Sequence, residues 1–169
     1  AKPMLMVSFD ANVGGFDNVG KEILDNVIPS VEKDFRVDAS ADSRAISGLS
    51  MGGMFTLYAG VPNTDKFHYL GVFSSGWFAK SSPFMNADKE RDANYAYIDN
   101  NVSLINKNLK QFFITIGGKP DIAYDNCQVM MQHFTQKGVK FDYYDSKDGG
   151  HTWPVWREDL YLFAQKLFK

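Results

Sequence analysis

An α/β fold with a mainly parallel sheet is the architecture this sequence predicts, on three observations. Short apolar runs of strand length alternate with longer stretches of helical spacing. Clusters of glycine, asparagine and proline punctuate the boundaries between them. At one boundary, "GLSMG" (Gly48–Gly52), a run of the first kind passes directly into one of the second. The 169 residues suffice for one domain with a sizeable core, read as a single unit over 1–169.

The elements follow in order. "PMLMVSF" (Pro3–Phe9) is a short apolar run and predicts a buried strand. "NVGGFDN" is loop chemistry. From Val19 to Phe35, apolar residues recur at Ile23, Leu24, Val27, Val31 and Phe35, a helical spacing with Pro29 as a kink. "SRAISG" predicts a second strand and Met51 to Val61 a helix. "YLGVFSS" (Tyr69–Ser75) predicts a third strand, residues 76–94 a long loop, and Tyr95 to Leu109 a helix. "QFFITIG" (Gln111–Gly117) is a fourth strand, followed by a helix over Ile122 to Lys137 that stops at Gly138. "KFDYYDS" is a fifth strand, and Val155 to Phe168 a closing amphipathic helix. No internal repeat or low-complexity linker interrupts this order.

Composition excludes several classes. A formal net charge of −2 favours neither nucleic acid nor an anionic membrane as partner. No apolar run approaches the roughly 20 residues of a membrane span. The opening "AKPMLMVSFD" does not read as a signal peptide, because its apolar run is short and no cleavage region follows. Cys127 is the single cysteine, so no internal disulfide forms. The 14 Phe, 8 Tyr and 3 Trp suit a packed core or an aromatic-binding cleft.

"GLSMG" fits the pattern G-x-S-x-G, which a chain of this length matches by chance about one time in twenty. Its context carries more weight than the match. A serine in a sharp strand–turn–helix needs neighbours without side chains, which Gly48 and Gly52 supply, and Gly53 lets the helix approach the sheet. Ser50 then stands at the carboxyl edge of the sheet, where a helix N-terminus favours developing negative charge and the Met51 N–H points to the reacting oxygen. The plain alternative is a glycine-rich turn with Ser50 as N-cap.

A serine nucleophile needs a base. Of the three histidines, His133 lies mid-helix and His68 in the turn before a strand, where structural roles are expected. His151, in "DGGHTW", occupies a loop between the last strand and the last helix, which reaches the edge where Ser50 stands. The imidazole in turn needs a carboxylate to fix its tautomer. Asp121, in "GGKPD" after the fourth strand, is placed for this, although it also suits the N-cap of the next helix; Asp125 and Asp148 are alternatives.

With these residues in view, "SRAISGLSMGG", "FHYLGVFSSGW", "GGKPD" and "GGHTWPVWREDLYLFAQKLF" resemble the esterase D-like branch of the α/β-hydrolases. The resemblance is to the feruloyl and acetyl xylan esterases of the first carbohydrate esterase family. It runs over nearly the whole chain, with "GLSMGG" and "GGHTWPVWR" its most specific parts. It implies Ser50 as nucleophile, His151 as base, Asp121 as acid, no cofactor, acylated xylan as substrate, and a secreted or periplasmic location. Trp77 and Trp153 are candidates to stack on a sugar or feruloyl ring, with Tyr124 and Phe78 as weaker ones; loop packing is the plainer reading of each.

One departure matters. Members of that family carry further strands upstream, one ending in a His-Gly-type loop that completes the oxyanion hole. This chain holds no such segment, so Met51 is its one expected donor and the α/β-hydrolase sheet is expected to be N-terminally truncated. The absent strand would lie between "PMLMVSF" and "SRAISG", leaving unpaired backbone that is costly to bury. An upstream segment, a partner chain, a homodimer or closure of the flanking strands would each resolve it. Two rival functions stand beside the xylan-esterase reading. One is a general carboxylesterase or S-formylglutathione hydrolase-like thioesterase, the other a non-catalytic carbohydrate-binding module.

Overall fold

The computed structural model describes residues 2–14, 16–77 and 87–169. Four parallel strands lie side by side in chain order: β1 (Ala45–Leu49), β2 (Tyr69–Phe73), β3 (Gln111–Ile116) and β4 (Asp142–Asp145). Their registers pair Ala45 with Tyr69, Tyr69 with Gln111, and Phe113 with Asp142.

Strand alternation builds two cores. Leu70, Val72, Phe112, Ile114 and Ile116 face one side. There they pack with α3 (Met51–Gly60), α4 (Ala87–Asn108) and α5 (Tyr124–Lys137), through Leu57, Ile98, Ile105, Met130 and Phe134 among others. Tyr69, Phe73 and Phe113 face the other side, under Phe163 of α6 (Trp153–Ala164) and Leu167 just beyond it. Helices thus cover both faces of the sheet.

The first helical stretch also forms, but not with a simple kink. It runs through α1 (Phe16–Lys21), a π-helical turn (Glu22–Val27) and α2 (Ile28–Asp34). Pro29 has no N–H to donate and its ring crowds the carbonyl four residues back. The helix widens just before it, where the Ile28 N–H bonds to the Ile23 carbonyl, five residues back.

Two expectations are corrected. Pro3–Phe9 is not a strand: it is exposed, Met6 at 76%, and outside the ladder. An apolar run becomes a strand only when a neighbour accepts and donates its backbone bonds, and among the described residues no strand stands beside it. β1 is consequently an edge strand. A cavity of about 890 Å³ runs along it, lined by Met4, Met6, Val27, Val31, Ile46 and Phe163 among others. The second correction is α4, which begins at Ala87, inside the expected long loop. Its first two turns, "ADKERDAN", are charged and lack the apolar period that marks a helix in sequence. Phe78 lies outside the described residues.

Candidate active site

Three loops at the carboxyl ends of β1, β3 and β4 carry the site. The first is the turn between β1 and α3. Ser50 there has φ 52° and ψ −118°, a strained conformation for a residue with a side chain. Its N–H bonds to the Phe73 carbonyl at 2.9 Å, and its own carbonyl takes the Gly53 N–H at 3.0 Å, so strand and helix clamp the turn from both sides. The glycines divide the work differently from the sequence reading. A Cβ on Gly48 would lie 2.2 Å from the Gly52 carbonyl, and one on Gly53 would lie 2.5 Å from the Ser75 Cβ. A Cβ on Gly52 would meet nothing within 4 Å. Gly48 therefore makes room for the backbone of Gly52, and Gly52 needs no room of its own.

The second and third loops are joined backbone to backbone. The Gly150 N–H donates to the Gly117 carbonyl at 2.7 Å, and a Cβ on Gly117 would strike the Gly150 oxygen at 2.0 Å. This contact brings "GGKPD" and "DGGHTW" together. His151 Nε2 then lies 2.9 Å from Ser50 Oγ, and His151 Nδ1 lies 2.7 Å from Asp121 Oδ1. The Ala123 N–H donates to Asp121 Oδ1 at 2.9 Å and the Gly117 N–H to Oδ2 at 3.1 Å. Asp121 thus serves the turn into α5 and the imidazole at once, while the N-cap itself is Ala123.

Burial pushes the Asp121 carboxyl upward. The Ser74 hydroxyl, the Ala123 N–H, His151 and the Gly117 N–H outweigh it and hold the group below its ordinary value. The Ser74 hydroxyl is near enough to act on Asp121, yet it meets no acceptor in strict hydrogen-bond geometry. Neither Asp125 nor Asp148 hydrogen-bonds His151. His68 pairs with Asp42 and His133 with Asp99, both as structural contacts.

Met51 opens α3, and its N–H belongs to the first-turn donors that no intrahelical carbonyl can take. Trp153, 65% exposed, packs edge-on against Trp156, which packs edge-on against the His151 ring at 4.9 Å. Trp77 is corrected as a candidate. It is fully buried, edge-on to Tyr95 and Phe134, and a core indole offers no face to a ligand. Tyr124 is half-buried at the rim of the main core. Trp156 and Ser74 were not singled out in sequence, although both lie inside quoted motifs, because nothing in "WPVWR" or "FSSGW" says which residue faces the histidine side. Among the described residues no group of three His, Cys, Asp or Glu could hold a metal, and no helix is long and apolar enough to cross a membrane.

Fold and geometry together define an α/β-hydrolase architecture with a serine, a histidine and an aspartate in one hydrogen-bonded line. The chain belongs to the Esterase family ("Putative esterase"), whose pattern matches residues 8–166. An endo-1,4-beta-xylanase/feruloyl esterase of Xylanibacter ruminicola is 28% identical over 149 residues, 88% of this chain and 18% of that protein. A ferulic acid esterase of Anaeromyces mucronatus, solved with ferulic acid, superposes with TM-score 0.73 at 21% identity, over 99% of this chain and 61% of that one. The S-formylglutathione hydrolase of Staphylococcus aureus gives TM-score 0.67 at 20% identity, over 88% and 62%. The chain therefore spans about three fifths of these solved proteins and under a fifth of the curated relative.

Proposed function

We propose that this chain carries the catalytic residues of a serine esterase that removes feruloyl or acetyl groups from plant cell-wall xylan. The observation that carries the reading is the line Ser50 Oγ, His151 Nε2, His151 Nδ1, Asp121 Oδ1, with spacings of 2.9 and 2.7 Å. Ser50 attacks the ester carbonyl while His151 takes its proton and then returns it to the departing alcohol. Asp121 holds the tautomer that leaves Nε2 free to accept, and steadies the imidazolium. Water then enters by the same base and releases the acid. The Met51 N–H, at a helix N-terminus, stabilises the oxyanion from one side. No cofactor enters these steps.

Xylan as substrate is supported by the name of the Xylanibacter ruminicola relative and by the exposed Trp153 beside the site. An aromatic face of this kind suits a sugar or a hydroxycinnamoyl ring. Such a substrate places the protein outside the cytoplasm. The second oxyanion donor and the neighbour of β1 come from further strands, on the same polypeptide or another chain. The cavity along β1 and the greater length of the relatives support this. A thioesterase acting on S-formylglutathione is the second reading, favoured by the Staphylococcus aureus neighbour.

Ser50→Ala tests the core of the proposal on an activated aryl ester. Loss of a nucleophile of this kind costs on the order of 10⁶ in kcat. More than a tenth of wild-type activity in the alanine variant would remove Ser50 from the role. Rates on feruloylated xylan, acetylated xylan and S-formylglutathione, compared side by side, separate the substrate readings.

A further inference from the structure

Behind His151 the structure buries polar groups that the triad does not use. Asp159 is 0% exposed, and neither carboxyl oxygen has a hydrogen-bond partner. Thr115 Oγ1 and Trp156 Nε1 are buried in the same condition. A buried group left unpaired costs about 1–3 kcal/mol, so each of the three calls for an account.

Their placement supplies one. Trp156 and Asp159 are three residues apart on α6 and so share a face of the helix. Thr115 comes from β3, and its hydroxyl is close enough to act on the Asp159 carboxyl, although strict hydrogen-bond geometry is not met. An indole N–H only donates, whereas a hydroxyl and a protonated carboxyl each donate and accept. One internal water, or a small side-chain rotation, closes these groups into a satisfied set. The indole so held is the ring that meets His151 edge-on at 4.9 Å and 87°.

We propose that Asp159 and Thr115 form a buried brace that fixes the Trp156 ring and, through it, the orientation of the His151 imidazole. Asp159 is a positioning residue in this arrangement, since nothing places it on the reacting atoms. Its surroundings disfavour the charged form. Burial raises its pKa to about 7, the Thr115 hydroxyl opposes this, and the charges acting on it are both negative: Glu158 from its own helix and Asp121 from the loop after β3. The proposal rests on His151 as the catalytic base, and its test is built so that the two can fail separately.

Asp159→Leu, Asp159→Asn and Trp156→Leu are compared with wild type in three measurements. These are kcat and KM on an activated aryl ester, thermal denaturation, and the low-field proton resonance of the His151 Nδ1–H. In Asp159→Leu and Trp156→Leu, kcat falls about tenfold with KM within twofold, and the low-field signal broadens or vanishes. Asp159→Asn, which keeps neutral hydrogen-bonding capacity, restores kcat to within about threefold and restores the signal. Two results overturn the proposal. An Asp159→Leu protein that melts lower yet keeps its kcat and its low-field signal reduces Asp159 to a stability role. Equal losses in Asp159→Asn and Asp159→Leu overturn the neutral brace. Should the wild type hydrolyse no ester, the function proposed above fails, while the resonance still decides whether Asp159 orients His151.

Discussion

Replacing Gly48 by alanine puts the turn that carries Ser50 to its hardest test. The added Cβ would lie 2.2 Å from both the carbon and the oxygen of the Gly52 carbonyl and 2.7 Å from its Cα. All three are backbone atoms, so no rotamer change relieves the contact; β1 and α3 must move apart. Forcing a methyl group into a packed site costs about 1–3 kcal/mol where side chains can yield. Here the cost sits at or above the upper end, about 3 kcal/mol. For a domain of this size each kcal/mol lowers Tm by roughly 2–4 °C, so a fall of about 6–12 °C is expected. The same movement shifts Ser50 Oγ from its 2.9 Å contact with His151 Nε2. A displacement near 1 Å costs on the order of 10² in rate. Gly52→Ala is the control, because its Cβ meets nothing within 4 Å and its helical backbone favours alanine by about 0.5–1 kcal/mol. Thermal denaturation and turnover of an aryl ester, measured on both variants, decide the matter. A Gly48→Ala protein with wild-type Tm and rate, or a Gly52→Ala protein as damaged as Gly48→Ala, would refute the argument.

Three further outcomes are expected. Asp121→Asn costs about 10⁴ in kcat, through the wrong histidine tautomer, while Asp125→Asn and Asp148→Asn stay near wild type; assays of the three together check this, and a larger loss at either alternative moves the acid there. Stability depends on pH with opposite signs at two aspartates. Asp121, held low, stabilises above the ordinary carboxyl value and loses that contribution as pH falls through its folded pKa. Asp159, raised from 3.8 to about 7, costs the fold nothing in acid and a penalty that grows across that interval to on the order of 4 kcal/mol. Asp159→Asn should therefore raise Tm at pH 8 by several degrees and leave it near wild type at pH 4, and equal shifts at both values would sink the assignment. Residues 1–169 alone should be a poor esterase that associates through the β1 edge; light scattering in line with size exclusion, with each peak assayed, would be contradicted by a fully active monomer.

Local sequence determined much of this protein. Four of the five expected strands formed within two residues of their expected ends; the central two, Tyr69–Phe73 and Gln111–Ile116, are buried between helices and read as near-continuous apolar runs. Gly138 ended α5 with φ 79°, as a left-handed C-cap should. Ser50, His151 and Asp121 were legible because a parallel sheet sends every strand-to-helix loop to one edge, so chain order alone places the three together.

Tertiary structure decided the rest. Pro3–Phe9 has the composition of a strand, but a strand is defined by a partner, and composition does not supply one. Trp77 and Trp153 look alike in sequence; packing buried the first against Phe134 and left the second exposed beside the site. Gly48 and Gly52 hold equivalent places in the motif, and only the crossing of β1 and α3 shows which one has backbone at 2.2 Å. Asp159 carries no sequence signal, since it is one charge among several on an amphipathic helix. Its burial beside Thr115 and near Asp121 follows from how α6 lies on β3, a contact between residues 44 positions apart that no local pattern encodes.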